Sequence, residues 1–422
     1  MKKVARFLVK NNGPLMGDVT ISGSKNSVLP IMAATLLSDE ECIICDVPDL
    51  RDVDVMCKIL EGLDVEVKTD LKENVLHLHA ADITKSEAPF DLAKRMRASI
   101  LTMGPLLARN GCARVALPGG CAIGARPIDL HLKGFELMGA KVEFAPNYVE
   151  ATVDRLKGAK IYLDYPSVGA TENIMTAATL ADGTTIIENV AKEPEIVDLA
   201  NYLNKMGARV KGAGTDTIKI EGVERLHGTK HVVIPDRIET GTFMVAAAIT
   251  RGDLLIRNVV PDHVRPIISK LSECGCIVED TLEGLRVKAN EKPLIATDIK
   301  TLPYPGFPTD MQSQFMALLT TVEGRSTVIE TVFENRYMHI NELNRMGANI
   351  GIEGRSAVIQ GGAKLSGCQV MSTDLRAGAA LVLAGLAAEG VTEISEIYHI
   401  ERGYSQFVEK LRKIGADISR VD

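Results

Sequence analysis

The 422-residue sequence has no tryptophan, and aromatic side chains make up only 4% of it. Its cores must therefore be packed from small aliphatic residues, which are plentiful: 46% of the chain is apolar. It also lacks a basic excess. Lys and Arg number 48 against 55 Asp and Glu, so the net charge is 48 − 55 = −7. That argues against broad binding to nucleic acid or anionic membranes. An anionic ligand has to be held by a local cluster of Arg and Lys. No window of about 18 uncharged apolar residues occurs, so no membrane span is expected. The basic N-terminus has too short an apolar run for a secretory signal. Eight cysteines in so long a chain do not make a disulfide framework. Cys42 and Cys45 flank Ile43 and Ile44 and lack a second pair at zinc-ligand spacing, so they read as strand residues. Cys274 and Cys276 fit the same strand reading. These features suggest a reduced, cytoplasmic protein. None of the eight histidines forms a metal arrangement, and His77 and His79 alternate on one strand. The absence of G-x-x-x-x-G-K-[ST], and of G-x-G-x-x-G after a strand, argues against a nucleotide triphosphatase or dinucleotide fold.

What is present is a repeat. An apolar-periodic helix ending near a glycine, then an alternating strand, recurs around Gly62, Gly139, Gly207, Gly275, Gly347 and Gly415. The spacings are 77, 68, 68, 72 and 68 residues. A second pattern interleaves with it. Runs of small apolar residues open after residues 23–26, 96–99, 167–171, 235–241, 308–310 and 373–376. Each run reads as a helix buried nearly all round. The chain is thus six copies of one unit, three per globular half, with the apolar helices inside and sheets and amphipathic helices outside. The expected α/β domains are residues 1–24 with 235–422, and residues 25–234.

The starts of the buried helices are where chemistry is expected, because free N–H groups and the helix dipole favour anions there. They hold Lys25, Asn26, Arg97, Ser167, Val168, Gly169, Arg237, Asp310, Asp374 and Arg376. Lys25, Arg97, Arg126, Arg376 and Arg402 could bind a multiply charged phosphate or carboxylate. Asp310 or Asp374 could take a proton from a substrate hydroxyl, although both also read as ordinary helix caps. Arg237 reads better as a pairing residue at a domain crossing. Arg336 could bind ligand or pair with a nearby acid. Residues 117–127, LPGGCAIGARP, surround Cys121 with three glycines and place Arg126 five residues on. A thiol on a mobile loop beside a guanidinium could be reactive. A hairpin loop with an incidental cysteine fits the same local sequence.

Taken together, GSKN at 23–26, MRAS at 96–99, the Cys121 stretch, SVGAT at 167–171 and FPTDMQ at 307–312 resemble the enolpyruvyl transferase family. So do FENRYMH at 333–339, TDLRA at 373–377 and YHIERGY at 398–404. The resemblance runs essentially end to end and is to the members that act on a nucleotide sugar. It implies a two-domain inside-out α/β barrel with a deep cleft. It implies transfer of enolpyruvate from phosphoenolpyruvate to the 3-hydroxyl of UDP-N-acetylglucosamine, with release of phosphate, as the first committed step of peptidoglycan synthesis. No metal or organic cofactor is expected, and a monomer is. By position, Cys121 on a mobile loop of about residues 117–128 resembles the cysteine that protonates the enolpyruvyl carbon and can bond covalently to phosphoenolpyruvate. Asp310 resembles the base. Lys25, Arg126 and Arg402 would grip phosphoenolpyruvate, with Arg97 and Arg376 nearby. Asn26 would position the sugar, Val332 would lie behind it, and Asp374 would support the tetrahedral intermediate. Arg126, Pro127, Ile128, Asp129 and Leu130, with Ser167, Val168 and Gly169, would meet the uridine end. Tyr165 and Pro166 stand where many relatives have a lysine, and Leu101 where some have tryptophan. The sister activity on shikimate 3-phosphate shares the architecture, but Cys121 and residues 167–171 speak for the nucleotide sugar. A non-catalytic anion-binding scaffold would not be expected to keep Cys121, Asp310, Lys25 and Arg402 together. A cysteine hydrolase would want a histidine near Cys121, and only His131 is close in sequence.

Overall fold

The structure, a computed structural model, describes residues 5–70, 72–93, 96–116, 127–289 and 292–422. These divide into two compact units. A terminal unit takes residues up to 22 and from 235 onward; a central unit takes the described residues of 23–234. Cys121 and Arg126, with the rest of residues 117–126, lie outside the described residues.

Each unit is an inside-out α/β barrel, with helices at its centre and strands outside. In the terminal unit the inner helices are Arg237–Ile249, Gln312–Thr321 and Leu375–Ala387, which pack on one another. Leu375–Ala387 is made of Ala, Gly, Leu and Val apart from Arg376, and nearly all of it is buried. A helix with no polar face is stable only when surrounded, which is why such residues occupy the centre. Among the described residues, three four-stranded sheets lie around these helices. One of them contains the N-terminal strand Arg6–Lys10, antiparallel to both Val391–Ser395 and Asp417–Val421. In another, Met16–Thr20 runs parallel to Asp253–Arg257. In the third, Arg325–Ile329 lies between Ile299–Lys300, parallel with Lys300 opposite Ile329, and Ser356–Gln360, antiparallel with Ile329 opposite Ser356.

The central unit repeats the plan around Lys25–Ala34, the 3₁₀ turn Arg97–Thr102 continued by Met103–Asn110, and Val168–Ala178. Its sheets have four, four and three strands among the described residues. Strand Glu41–Cys45 carries Cys42 and Ile44 inward, as alternation demands. Cys274 and Cys276 depart from the strand reading. Cys274 ends the helix Arg265–Glu273, and Cys276 precedes the strand Ile277–Thr281. Burial pushes both thiols up, to about 12 and about 11.

The helix-ending glycines obey one rule with one exception. Gly139, Gly207, Gly275, Gly347 and Gly415 have φ between 95° and 103°, the left-handed region that favours glycine. In each case the next residue donates its N–H five residues back, as in Ala140 to Phe135 at 2.9 Å. Gly62 does not play this part. The first repeat makes the same bond from Val65 to Leu60 at 3.0 Å, so Asp64, at φ 68°, takes the glycine's place. Gly62 is small for another reason: a Cβ there would meet Pro89 at 2.3 Å.

One buried acid gives a stability prediction. Burial pushes the Glu172 carboxyl, in the inner helix Val168–Ala178, well above the ordinary glutamate range, and the charges of Glu195 and Glu193 add to this. The folded state therefore keeps a proton that the unfolded chain releases. Stability then falls as pH rises above the usual glutamate value, by up to about 1.4 kcal/mol per pH unit. Glu172→Gln is expected to remove this decline and raise Tm at neutral pH, which thermal melts across pH 4–8 check.

Candidate functional site

In the central unit, three inner-helix starts and the segment 127–130 hold the residues singled out by sequence. Lys25 opens an inner helix, and its Nζ pairs with Asp52 Oδ2 at 2.8 Å, both largely buried. Asn26 beside it is half-buried. Arg97 Nη2 donates to the Pro127 carbonyl at 3.4 Å, which ties the start of one inner helix to the segment 127–130. Asp129 and Leu130 begin the helix Asp129–Leu137, with Ile128 buried beneath them. At the next inner helix, the Ser167 hydroxyl caps by accepting from Ala170 N at 3.3 Å, and Val168 and Gly169 form the first turn.

His131 joins these pieces. A Cβ on Gly169 would meet its ring at 3.2 Å. Asn173 Nδ2 lies 3.0 Å from His131 Nδ1 and also donates to the Ile100 carbonyl at 2.9 Å. Burial, helped by the charge of Arg97, pulls this histidine down to about 3. The ring is therefore neutral at physiological pH and a weak base there. Sequence reading weighed His131 only as a partner of Cys121. The i, i+2 spacing from Asp129 could have hinted at its inward position.

In the terminal unit the centre is Asp310. Its short 3₁₀ turn, Thr309–Met311, feeds the inner helix Gln312–Thr321. Arg336 Nη1 pairs with Asp310 Oδ1 at 2.8 Å, and Arg376 pairs with Oδ2 through Nη2 at 2.9 Å and Nε at 3.2 Å. The carboxylate keeps 26% of its side-chain exposure, against 6% and 4% for the two arginines. Burial works to raise the carboxyl. The guanidiniums outweigh it and hold Asp310 well below the usual carboxylate range. Arg376 is correspondingly raised against its own burial. Its guanidinium carbon also lies 5.4 Å from the centre of the Tyr404 ring. Arg336 Nε and Arg376 Nη1 are buried without a hydrogen-bond partner among the described residues. Two cations around one anion therefore leave donors over, a disposition suited to a second anion.

Asp374 acts as the cap that the sequence allowed. Its Oδ1 accepts from Arg376 N at 2.9 Å and Ala377 N at 3.1 Å. Asp310 is not a cap: it lies within its 3₁₀ turn, whose N-cap is Pro308. Arg402 follows the short helix Tyr398–Glu401 and is half-buried. Gly403 beside it packs so closely on Leu375 that a Cβ would meet that side chain at 2.5 Å, which sets Arg402 near the start of the Arg376 helix. Val332 N donates to Glu330 Oε1 at 2.8 Å. Arg237 turns toward the Tyr304 ring at 5.7 Å. Arg336 was left between two readings by sequence, and the structure makes it the second clamp on Asp310.

The chain is similar to known proteins over nearly its whole length. A family described as EPSP synthase (3-phosphoshikimate 1-carboxyvinyltransferase) matches residues 9–411. A UDP-N-acetylglucosamine 1-carboxyvinyltransferase 1 of Caldanaerobacter subterraneus subsp. tengcongensis is 61% identical over 98% of this chain and 99% of its own. A UDP-N-acetylglucosamine 1-carboxyvinyltransferase 2 of Carboxydothermus hydrogenoformans is 58% identical over 99% of each. Among solved structures, the enolpyruvyl transferase NikO of Streptomyces tendae superposes with a TM-score of 0.89 at 26% identity, covering 99% of both chains. An EPSP synthase of Acinetobacter baumannii, 19% identical, shares the fold over 100% of both chains with a TM-score of 0.76. Matched by that family over residues 9–411, and with more than half of its residues identical to the two 1-carboxyvinyltransferases along nearly its full length, the chain belongs to the EPSP synthase family of enolpyruvyl (1-carboxyvinyl) transferases, alongside the UDP-N-acetylglucosamine 1-carboxyvinyltransferases.

Proposed function

We propose that the chain transfers the enolpyruvyl group of phosphoenolpyruvate to the 3-hydroxyl of UDP-N-acetylglucosamine and releases phosphate. The observation that carries this reading is the 61% identity, end to end, with a relative of that name. Identity with the EPSP synthase of Acinetobacter baumannii is far lower, at 19%. The chemistry needs an acid for the enol carbon and a base for the sugar hydroxyl. The hydroxyl oxygen bonds to the central carbon of phosphoenolpyruvate as the terminal carbon gains a proton. Loss of phosphate and a proton from that tetrahedral adduct then restores the double bond.

In this reading Cys121 supplies the proton and Asp310 accepts the other. Lys25, Arg126 and Arg402 hold phosphate and carboxylate, with Arg97 and Arg376 supporting. Asn26 and Val332 set the sugar, Asp374 supports the adduct, and Arg126 to Leu130 with Ser167 to Gly169 hold the uridine diphosphate. The pairing of Asp310 bears on its role. A carboxylate between two guanidiniums is a weak base. An arriving phosphoenolpyruvate anion draws on the same donors and so makes Asp310 more basic when the substrate is present. A polyanion-binding site of this kind also favours the charged adduct over neutral competitors.

The product is a precursor of the bacterial cell wall, which assigns the enzyme to peptidoglycan synthesis in the cytoplasm. Phosphate release measured with phosphoenolpyruvate and either acceptor tests the proposal. Release with UDP-N-acetylglucosamine and none with shikimate 3-phosphate is expected; the opposite preference overturns it.

A further inference from the structure

Glu330 lies one residue past the strand Arg325–Ile329 and is only 1% exposed. A carboxyl group so deeply buried is expensive unless every lone pair finds a donor. Here four donors converge on it. Thr301 Oγ1 donates to Oε1 at 2.8 Å, and so do the backbone N–H groups of Val332 at 2.8 Å and Phe333 at 3.1 Å. Thr309 Oγ1 donates to Oε2 at 2.9 Å. Thr301 is brought there by the parallel pairing of Ile299–Lys300 with Arg325–Ile329, which continues as Thr301 N to the Ile329 carbonyl at 2.9 Å.

The Thr309 hydroxyl faces two ways. Its proton goes to Glu330, and its oxygen accepts from Arg336 Nη1 at 3.0 Å. The same Arg336 nitrogen pairs with Asp310 Oδ1 at 2.8 Å. A continuous line therefore runs from Glu330 through Thr309 and Arg336 to Asp310. Because a hydroxyl has one proton, an acceptor at Glu330 fixes its direction and leaves its lone pairs toward Arg336. Glu330 also sets the backbone at Val332. Three of the four bonds hold Thr301 and the turn at 332–333, whereas the fourth, from Thr309, serves neither and leads toward Arg336.

We propose that Glu330 is a positioning residue for the reaction, holding Arg336 against Asp310 through the Thr309 hydroxyl. This rests on the reading of Asp310 as the base. Glu330→Gln is the discriminating change. Its amide oxygen can still accept from Val332, Phe333 and Thr301, so the loop is kept. Its NH₂ group then faces Thr309 as a donor, and the threonine proton loses its acceptor. Thr309→Val removes the same link from the other side, and Thr309→Ser keeps it.

The test is kcat and the pH profile of kcat/KM for phosphate release from phosphoenolpyruvate with UDP-N-acetylglucosamine, on full-length protein checked by thermal melting. Glu330→Gln and Thr309→Val are each expected to lower kcat about tenfold with little change in KM for the nucleotide sugar. With Arg336 loosened, Asp310 moves upward toward ordinary carboxylate values, so the acid limb shifts to higher pH, by about one unit. The double variant is no worse than the weaker single, because both cut one line. Thr309→Ser behaves as wild type. Folded variants with wild-type kcat and an unmoved acid limb overturn the proposal, as does a double loss equal to the product of the singles. Should Glu330→Gln not fold, Thr309→Val decides alone. Asp310→Asn is assayed beside them. If it still turns over, the base reading has failed; if it is inactive while both other variants are normal, only the role of Glu330 has failed.

Discussion

Asp310→Asn is expected to lower kcat by about 10²- to 10⁴-fold, the range that a positioned general base contributes. The substitution keeps the shape of the side chain and removes its negative charge. It therefore also leaves Arg336 and Arg376 facing an amide instead of a carboxylate. Breaking a buried ion pair in this way destabilises by about 3–5 kcal/mol when no other counter-charge is near. Two measurements separate the effects. Thermal melting reports the lost pairing, and binding of UDP-N-acetylglucosamine to the folded variant reports whether the site survives. A variant that melts lower, binds the nucleotide sugar normally and turns over poorly fits a base. One that turns over within tenfold of wild type removes Asp310 from that role.

The pairing also gives the sign of a pH effect on stability. The two guanidiniums hold the folded carboxyl below its unfolded value. Its contribution is therefore complete above the ordinary aspartate range and is lost as pH falls from there toward the depressed value. In Asp310→Asn that acid-side loss is absent, so the Tm difference from wild type narrows on acidification.

Much of this architecture was legible because it repeats. Small apolar runs announced the inner helices, and Asp374 and Ser167 cap where a first turn needs an acceptor. The fifth run is shifted, because Thr309 to Met311 form a 3₁₀ turn before the helix proper. Gly62 misled because local pattern marks a glycine, whereas the Val65 to Leu60 bond decides which residue turns left-handed. Asp64 can take that place because a short polar side chain tolerates it. Cys274 and Cys276 alternate as strand residues do, but Cys274 ends a helix and Cys276 only precedes the strand that follows. Arg336 and Glu330 were less legible still. Nothing near residue 330 in sequence shows that Thr301 will lie beside it, since that neighbour comes from parallel strand pairing 29 residues away. His131 was hidden for the same reason: its partners Asn173 and Gly169 lie on another helix.

Cys121→Ala is expected to reduce turnover by at least about 10³-fold and to abolish alkylation by an epoxide phosphonate such as fosfomycin, because methyl can neither donate a proton nor attack carbon. The position lies outside the described residues, so the expectation rests on chemistry and sequence: a thiol among Gly119, Gly120 and Gly124, five residues before Arg126. Cys121→Asp separates the two properties. A carboxylic acid can protonate the enol carbon, whereas its carboxylate is a far poorer nucleophile toward the epoxide than a thiolate. The aspartate variant should therefore turn over while resisting alkylation, with mass spectrometry showing an adduct on wild type alone. Its pH profile should move as well. An acid must be protonated to act, and an unperturbed aspartate releases its proton about 4–5 units below a thiol. Activity of Cys121→Asp should therefore fall at a lower pH than that of wild type. An alanine variant with wild-type turnover excludes Cys121 as the acid. A folded aspartate variant that is inactive at every pH counts against proton donation as the property that matters, and leaves covalent attachment as what the thiol contributes.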